Sequence, residues 1–424
     1  MKNTQIAGKT ASFRVGKWLP SDQTILENWL SNLIAEAEVD TRPLLPVIEE
    51  FKNFIEGDPV VYMYFNLMFT EVPRKPPYNK NPSLGPQVRH YQMMLRLLNI
   101  IMTKAPDFNE TGLVGFPINA IFDWSMGTAA GFAAFLDEKI NKQLKRVLAE
   151  WAIFLDSADS RYVLNKDPKT GWFGADAMKA MPGFNQEFQC NPELPYHGFK
   201  SWDDFFTRQF REGQRPVANP DDDNVIVNAC ESAPYRVATK VKKQQRFWIK
   251  AQPYSLEYML AGDPLTKKFV GGTIYQAFLS ALSYHRWHSP VSGTIVKAYV
   301  IDGTYYSEAS SEGYDPAGPN DSQGYITEVA TRALIFIKAD NPAIGTVCIM
   351  PVGMAEVSTC QITVYEGQHV KKGEQLGMFH FGGSTHCLIF EPHVKLEFDL
   401  HGQQPGLDSQ NIRINEKIAT VLNK

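Results

Sequence analysis

Glu366-Gly367-Gln368-His369-Val370-Lys371-Lys372-Gly373-Glu374-Gln375-Leu376-Gly377 reads as a hairpin-like segment, short β-type runs broken by glycines. Ser292-Gly293-Thr294-Ile295 starts the strand that matches it. Comparable runs lie on both sides: Val225-Ile226-Val227, Thr294 to Val300, Ala333 to Ile337, Thr346 to Met350, Ile362 to Val364 and Ile412 to Ile414. Gly- and Asp-rich turns separate them. From about residue 224 onward this predicts an antiparallel sandwich or barrel.

The 366–377 segment is similar to the hairpins of biotinyl–lipoyl carrier sandwiches. No lysine sits at a hairpin tip as a carrier needs, so the similarity concerns architecture and implies no swinging arm. The first half of the chain reads differently. Val47, Ile48, Phe51, Phe54 and Ile55 form an apolar stripe at helical spacing, as do Met93, Met94, Leu97, Leu98 and Ile101, and Val147, Leu148, Trp151 and Phe154. Ser21 can cap an earlier helix bearing Ile25, Trp29, Leu30 and Leu33. Pro106 ends the 91–105 helix, and Glu71 to Pro86 is a proline-rich loop. The Gly-, Pro- and Asn-rich segment Asp167 to Pro195 reads as the connection between domains. The expected class is α+β: a helical N-terminal domain, residues 1–195, followed by a β-rich sandwich or barrel, residues 196–424.

With 424 residues and a net charge of −4, the chain offers no electrostatic argument for nucleic acid. Cys190, Cys230, Cys348, Cys360 and Cys387 are odd in number, scattered and without a CxxC pair. That pattern predicts reduced thiols and a cytoplasmic location rather than a disulfide framework or a zinc site. Residues 1–20 contain no apolar secretory core. No run approaches the ~20 apolar residues that span a membrane, and no amphipathic helix has a clear basic face, so stable membrane association is not expected.

Phe381-Gly382-Gly383-Ser384-Thr385 places a hydroxyl directly after two glycines. The serine oxygen can attack the unshielded carbonyl of Gly383; elimination from the resulting ester would leave an electrophilic carbonyl group at position 384. The same letters also suit an ordinary turn. Gly271-Gly272-Thr273 is a look-alike whose threonine cannot give that product, and it reads as the start of a strand. Cys387, close by, reads as a small packing residue, with a nucleophile as the alternative. Tyr284-His285-Arg286-Trp287-His288-Ser289-Pro290 holds two of the nine histidines. On a regular strand their spacing puts them on opposite faces; on a turn both can face one cleft. They can donate to backbone carbonyls, act in proton transfer, or bind a metal, although no third ligand sits at a helpful spacing.

Four elements in this order resemble the phosphatidylserine decarboxylase family, covering roughly residues 200 to 424. They are Asp204-Phe205-Phe206-Thr207-Arg208 with Arg215-Pro216; Lys250 with Tyr254-Ser255-Leu256 and Leu260-Ala261-Gly262; the double-histidine run; and Gly382-Gly383-Ser384-Thr385. Asp58-Pro59-Val60-Val61, Ala130-Gly131-Phe132, Asp159-Ser160-Arg161 and Ala229-Cys230-Glu231-Ser232 are similar to the fungal tryptophan-decarboxylase branch of that family. The resemblance implies a pyruvoyl cofactor derived from Ser384, with no external cofactor and no metal. It implies Ser384 as nucleophile, His288 as base, and Glu231 in the place of the family's aspartate; the other reading of Glu231 is an exposed carboxylate at a strand end. Gly383 would become a new carboxyl terminus, leaving a large chain, 1–383, with the small chain, 384–424, still bound to it. His285 would assist turnover. The branch implies decarboxylation of a free amino acid, tryptophan to tryptamine and carbon dioxide. Phosphatidylserine decarboxylation is the rival within the family, and an uncleaved, non-enzymatic binding module the rival outside it.

Overall fold

The computed structural model describes residues 23–72, 88–108, 116–245, 254–280, 282–309, 322–356, 359–381 and 384–422. Gly383 and Lys250, both singled out above, lie outside them, as do Ser21 and most of the proline-rich loop. The first half is helical: α1 (Gln23–Val39), α2 (Pro46–Gly57), α3 (Pro59–Glu71), α4 (Tyr91–Ile101), α5 (Pro117–Met126), α6 (Ala129–Leu136) and α7 (Glu138–Asp156). Helix α7 shows why these segments fold. The Asp137 carboxylate accepts the N–H groups of Lys139 and Ile140, satisfying donors that the helix leaves unpaired. Ile140, Leu144, Val147, Leu148, Trp151 and Leu155 then recur on one face, and all are buried. Asp58 and His90 cap α3 and α4 in the same way.

The second half carries β1 (Val225–Val227), β2 (Ala233–Thr239), β3 (Thr273–Leu279), β4 (Arg286–His288), β5 (Gly293–Ile301), β6 (Arg332–Ala339), β7 (Thr346–Gly353), β8 (Thr359–Ile362), β9 (His369–Val370), β10 (Gln375–His380), β11 (Ser384–Phe390), β12 (Leu396–Phe398) and β13 (Lys417–Val421). A seven-stranded sheet has the order β2-β3-β11-β7-β6-β5-β9, and two three-stranded sheets have the orders β4-β10-β8 and β1-β13-β12. Neighbouring strands are antiparallel throughout. The α+β class therefore holds, but the sheets stay open and no barrel closes.

Three local expectations change. The 366–377 segment is not one hairpin: β9 pairs with β5, as expected for the strand beginning near Gly293, while β10 crosses to β4 and β8. Gly367 and Gly373, at φ 86° and 84°, supply the turns, and turn chemistry does not reveal which sheet a strand joins. Ile412–Ile414 makes only an isolated bridge to Ser232, because the Ile414 N–H is taken by the Glu231 carboxylate. The run near Ile362 forms a strand that ends at that residue rather than starting there.

Candidate active site

The strands on either side of the glycine pair belong to two different sheets. Strand β10 ends at His380 in one sheet, and β11 begins at Ser384 in the middle of another. Phe381 lies between them at φ 43°, a left-handed conformation that is costly for a bulky side chain. Its ring, 1 % exposed, is held by Trp151 at 5.4 Å and Trp202 at 5.8 Å. His380, just before it, is fixed through Nδ1 to the Asp203 carboxylate (2.9 Å) and through Nε2 to the Gln361 side-chain oxygen (2.8 Å). Strain and anchoring thus meet immediately ahead of the glycine pair.

Ser384 is fully buried, and its Oγ has no hydrogen-bond partner among the described residues. It stands opposite Leu279 on β3 and Gly353 on β7. Cys387 falls on the other face of the strand, among Ile274, Met350 and Ile389, where burial pushes its thiol far up. It is a packing residue. Gly271-Gly272 leads directly into β3, as its reading as a strand start required.

The two motif histidines are placed differently. The Phe379 N–H donates to the His285 carbonyl at 2.9 Å, so His285 lies beside the β10 end that leads to the glycine pair. It is fully buried, with its ring stacked on Phe206 at 3.9 Å. His288 pairs with Gln375, at the far end of β10. Its Nε2 hydrogen-bonds the Tyr284 hydroxyl at 3.1 Å, and burial lowers its pKa to about 4. Neither histidine hydrogen-bonds Ser384 Oγ.

Glu231 is buried rather than an exposed strand-end carboxylate. Its oxygens accept from Arg215 Nε at 3.1 and 3.2 Å and Nη2 at 2.8 Å, and from the Ile414 N–H at 2.8 Å. Arg215 also reaches Glu187 at 3.0 Å. The His288 N–H donates to the Ala229 carbonyl at 2.8 Å, which brings His288 two residues from Glu231 along the chain, but the carboxylate bonds the guanidinium and not the imidazole. A cavity of about 360 Å³ adjoins this cluster, lined by Phe184, Phe188, Glu231, Ser280 and Tyr284 among others.

Two groups near position 384 carried no motif. His386 stands two residues along β11, fully buried, and burial pushes it down to about 3. The signal for it was strand periodicity: residues i and i+2 share a face. Beyond the β7 end that faces Ser384, Glu356 accepts the Asn119 N–H at 2.7 Å, while Asn119 Nδ2 donates to Asp123 at 3.3 Å. Burial raises Asp123 to about 7 and Glu356 to about 8.

Comparison with known proteins points in one direction. Two phosphatidylserine decarboxylase profiles match, over residues 45–181 and 202–420. L-tryptophan decarboxylase of Psilocybe cubensis is 37 % identical over 435 aligned residues, covering 97 % of this chain and 95 % of that protein. Decarboxylase iboD of Amanita muscaria is 44 % identical over 325, covering 72 % and 91 %. Phosphatidylserine decarboxylase proenzyme 3 of Schizosaccharomyces pombe is 33 % identical over 223, covering 51 % and 22 %.

Proposed function

The chain belongs to the phosphatidylserine decarboxylase family, and from that premise we propose that it decarboxylates a free L-amino acid, tryptophan to tryptamine, using a pyruvoyl group made from Ser384. The breadth of the match carries the substrate reading: the relatives aligned along nearly the whole chain are named L-tryptophan decarboxylase, whereas the phosphatidylserine enzymes align over about half of it. No helix among the described residues is long and apolar enough to cross a membrane. We place the reaction in the cytoplasm, in keeping with the scattered thiols, and divide the chain into a helical domain, 1–195, and a catalytic domain, 196–424.

The residues around the glycine pair suit self-cleavage. Ser384 Oγ is buried and without a hydrogen-bond partner among the described residues, Phe381 three residues earlier is left-handed, and the two residues between are glycines. Its oxygen forms a bond to the Gly383 carbonyl carbon; the Gly383–Ser384 C–N bond breaks; the hydroxyl proton passes through a base to the departing nitrogen. Elimination then removes the Cα proton of residue 384 and breaks its Cβ–O bond, freeing Gly383 as a carboxyl terminus and leaving a dehydroalanine, whose imine form takes up water and releases ammonia to give the pyruvoyl group. By motif position His288 is that base, and Glu231, held by Arg215, stands in the place of the family's aspartate. His288 Nε2 is engaged by the Tyr284 hydroxyl and makes no hydrogen bond to Ser384 Oγ, so on this reading proton transfer calls for a different pairing of the imidazole. The group left at residue 384 supplies an electron sink for the loss of carbon dioxide. His285, beside the end of β10, is assigned to proton transfer at the substrate carbon. The small chain, 384–424, stays seated in the sheets it helps to form.

On a denaturing gel, wild type should give two chains and Ser384→Ala one. Carbon dioxide release from tryptophan, other free amino acids and phosphatidylserine vesicles then separates the substrates. Intact, inactive wild type after long incubation would sink the self-cleavage reading.

A further inference from the structure

Strand β11 presents two polar side chains on one face, Ser384 and His386, in otherwise apolar surroundings. Opposite His386 stand Ala277 and Pro351, so little side-chain bulk flanks it on either neighbouring strand; Ser384 stands between Leu279 and Gly353. Leu279 and Tyr275 complete the wall, the Tyr275 ring meeting the His386 ring edge-on at 6.0 Å. Neither imidazole nitrogen of His386 has a hydrogen-bond partner among the described residues, and the ring is fully buried. A buried polar side chain left unpaired costs about 1–3 kcal/mol, which a leucine here would avoid.

We propose that His386 recognises the substrate side chain, its neutral imidazole accepting a hydrogen bond from a ring N–H held against the apolar wall beside residue 384. This rests on the reading that the site acts on a tryptophan-like amino acid. An imidazole with one lone pair and one N–H matches a neutral donor. Its burial disfavours the charged ring, so it stays an acceptor across the physiological range. A carboxylate or ammonium would be poorly solvated at this place. Because residue 386 is the third residue of the small chain, it travels with residue 384 and keeps its register to it through cleavage. A site built around such a bond rejects analogues that lack the donor, since the buried acceptor is then left unpaired.

The test uses full-length, self-cleaved protein with tryptophan and with its benzothienyl analogue, in which sulfur replaces the ring N–H. Wild type should favour tryptophan by about 100-fold in kcat/KM. His386→Leu should bring the ratio close to one by losing activity on tryptophan while keeping it on the analogue. His386→Gln, which retains an acceptor, should restore much of the preference. If the Leu variant fails to mature on the gel, the wild-type ratio and the Gln variant still decide. A wild-type ratio near one, or an equal loss on both substrates in the Leu variant, overturns the assignment while leaving the tryptophan reading intact. Cleaved wild type that releases carbon dioxide from neither compound overturns both.

Discussion

Burial acts in opposite directions on the two kinds of titratable group in this interior. His288 and His386 are pushed down, to about 4 and about 3, and Asp123 and Glu356 up, to about 7 and about 8. A depressed imidazole binds fewer protons folded than unfolded, so its contribution falls as pH drops from its ordinary 6.5 toward the folded value. A raised carboxyl behaves inversely: its contribution is full below its ordinary pKa and is lost as pH rises through the folded one. Glu356→Gln should therefore flatten the loss of stability between pH ~5 and ~8 by ~3 kcal/mol, read from urea unfolding at several pH values. Arg215→Met should cost about 3–5 kcal/mol in the same assay, because Glu231 would remain buried without its partner. Ser384, His285 and His288 could be picked out as candidates in the sequence because each sits in a run of distinctive neighbours. His386 could not: a lone histidine gains meaning only when the strand start is fixed, as it is at Ser384 of β11.

The connection between β10 and β11 is the element on which the proposed chemistry depends. Its left-handed Phe381 is held by Trp151 of α7 and by Trp202, so a helix of the first half packs against the proposed cleavage segment of the second. Trp151→Ala should destabilise the fold by ~3–5 kcal/mol and also slow the appearance of the small chain. Thermal unfolding measures the first effect and a timed denaturing gel the second; unchanged cleavage kinetics in a destabilised variant would remove this packing from the mechanism. Glu356 provides a second link, accepting an N–H in the first turn of α5, where the helix dipole favours an anion. Helices with clear caps and stripes were readable from sequence, and β1 was read to the residue. The assignment of β9 and β10 to one hairpin failed because strand partners are set by distant packing, which local turn residues do not encode.

Across the whole molecule, the two proposed chains are interleaved. Residues after 384 supply the third strand of the seven-stranded sheet and the middle and an edge strand of a three-stranded one, with partners from before residue 383. The cleaved chains should therefore co-elute on size exclusion in native buffer and separate only at denaturant concentrations that unfold the protein. Early separation would contradict the interleaving. That the small chain stays bound was expected from the sequence; which strands it would sit between was not, because strand partners are set by distant packing. The interleaving also sets a limit of another kind. An enzyme with a dissociable coenzyme recovers from a misdirected turnover by exchanging the spent molecule for a fresh one. If the reactive group is made from Ser384 as proposed, it is part of a strand that cannot leave, so one side reaction at residue 384 would retire the entire polypeptide, and lifetime output would depend on how many turnovers each newly made copy completes before that error.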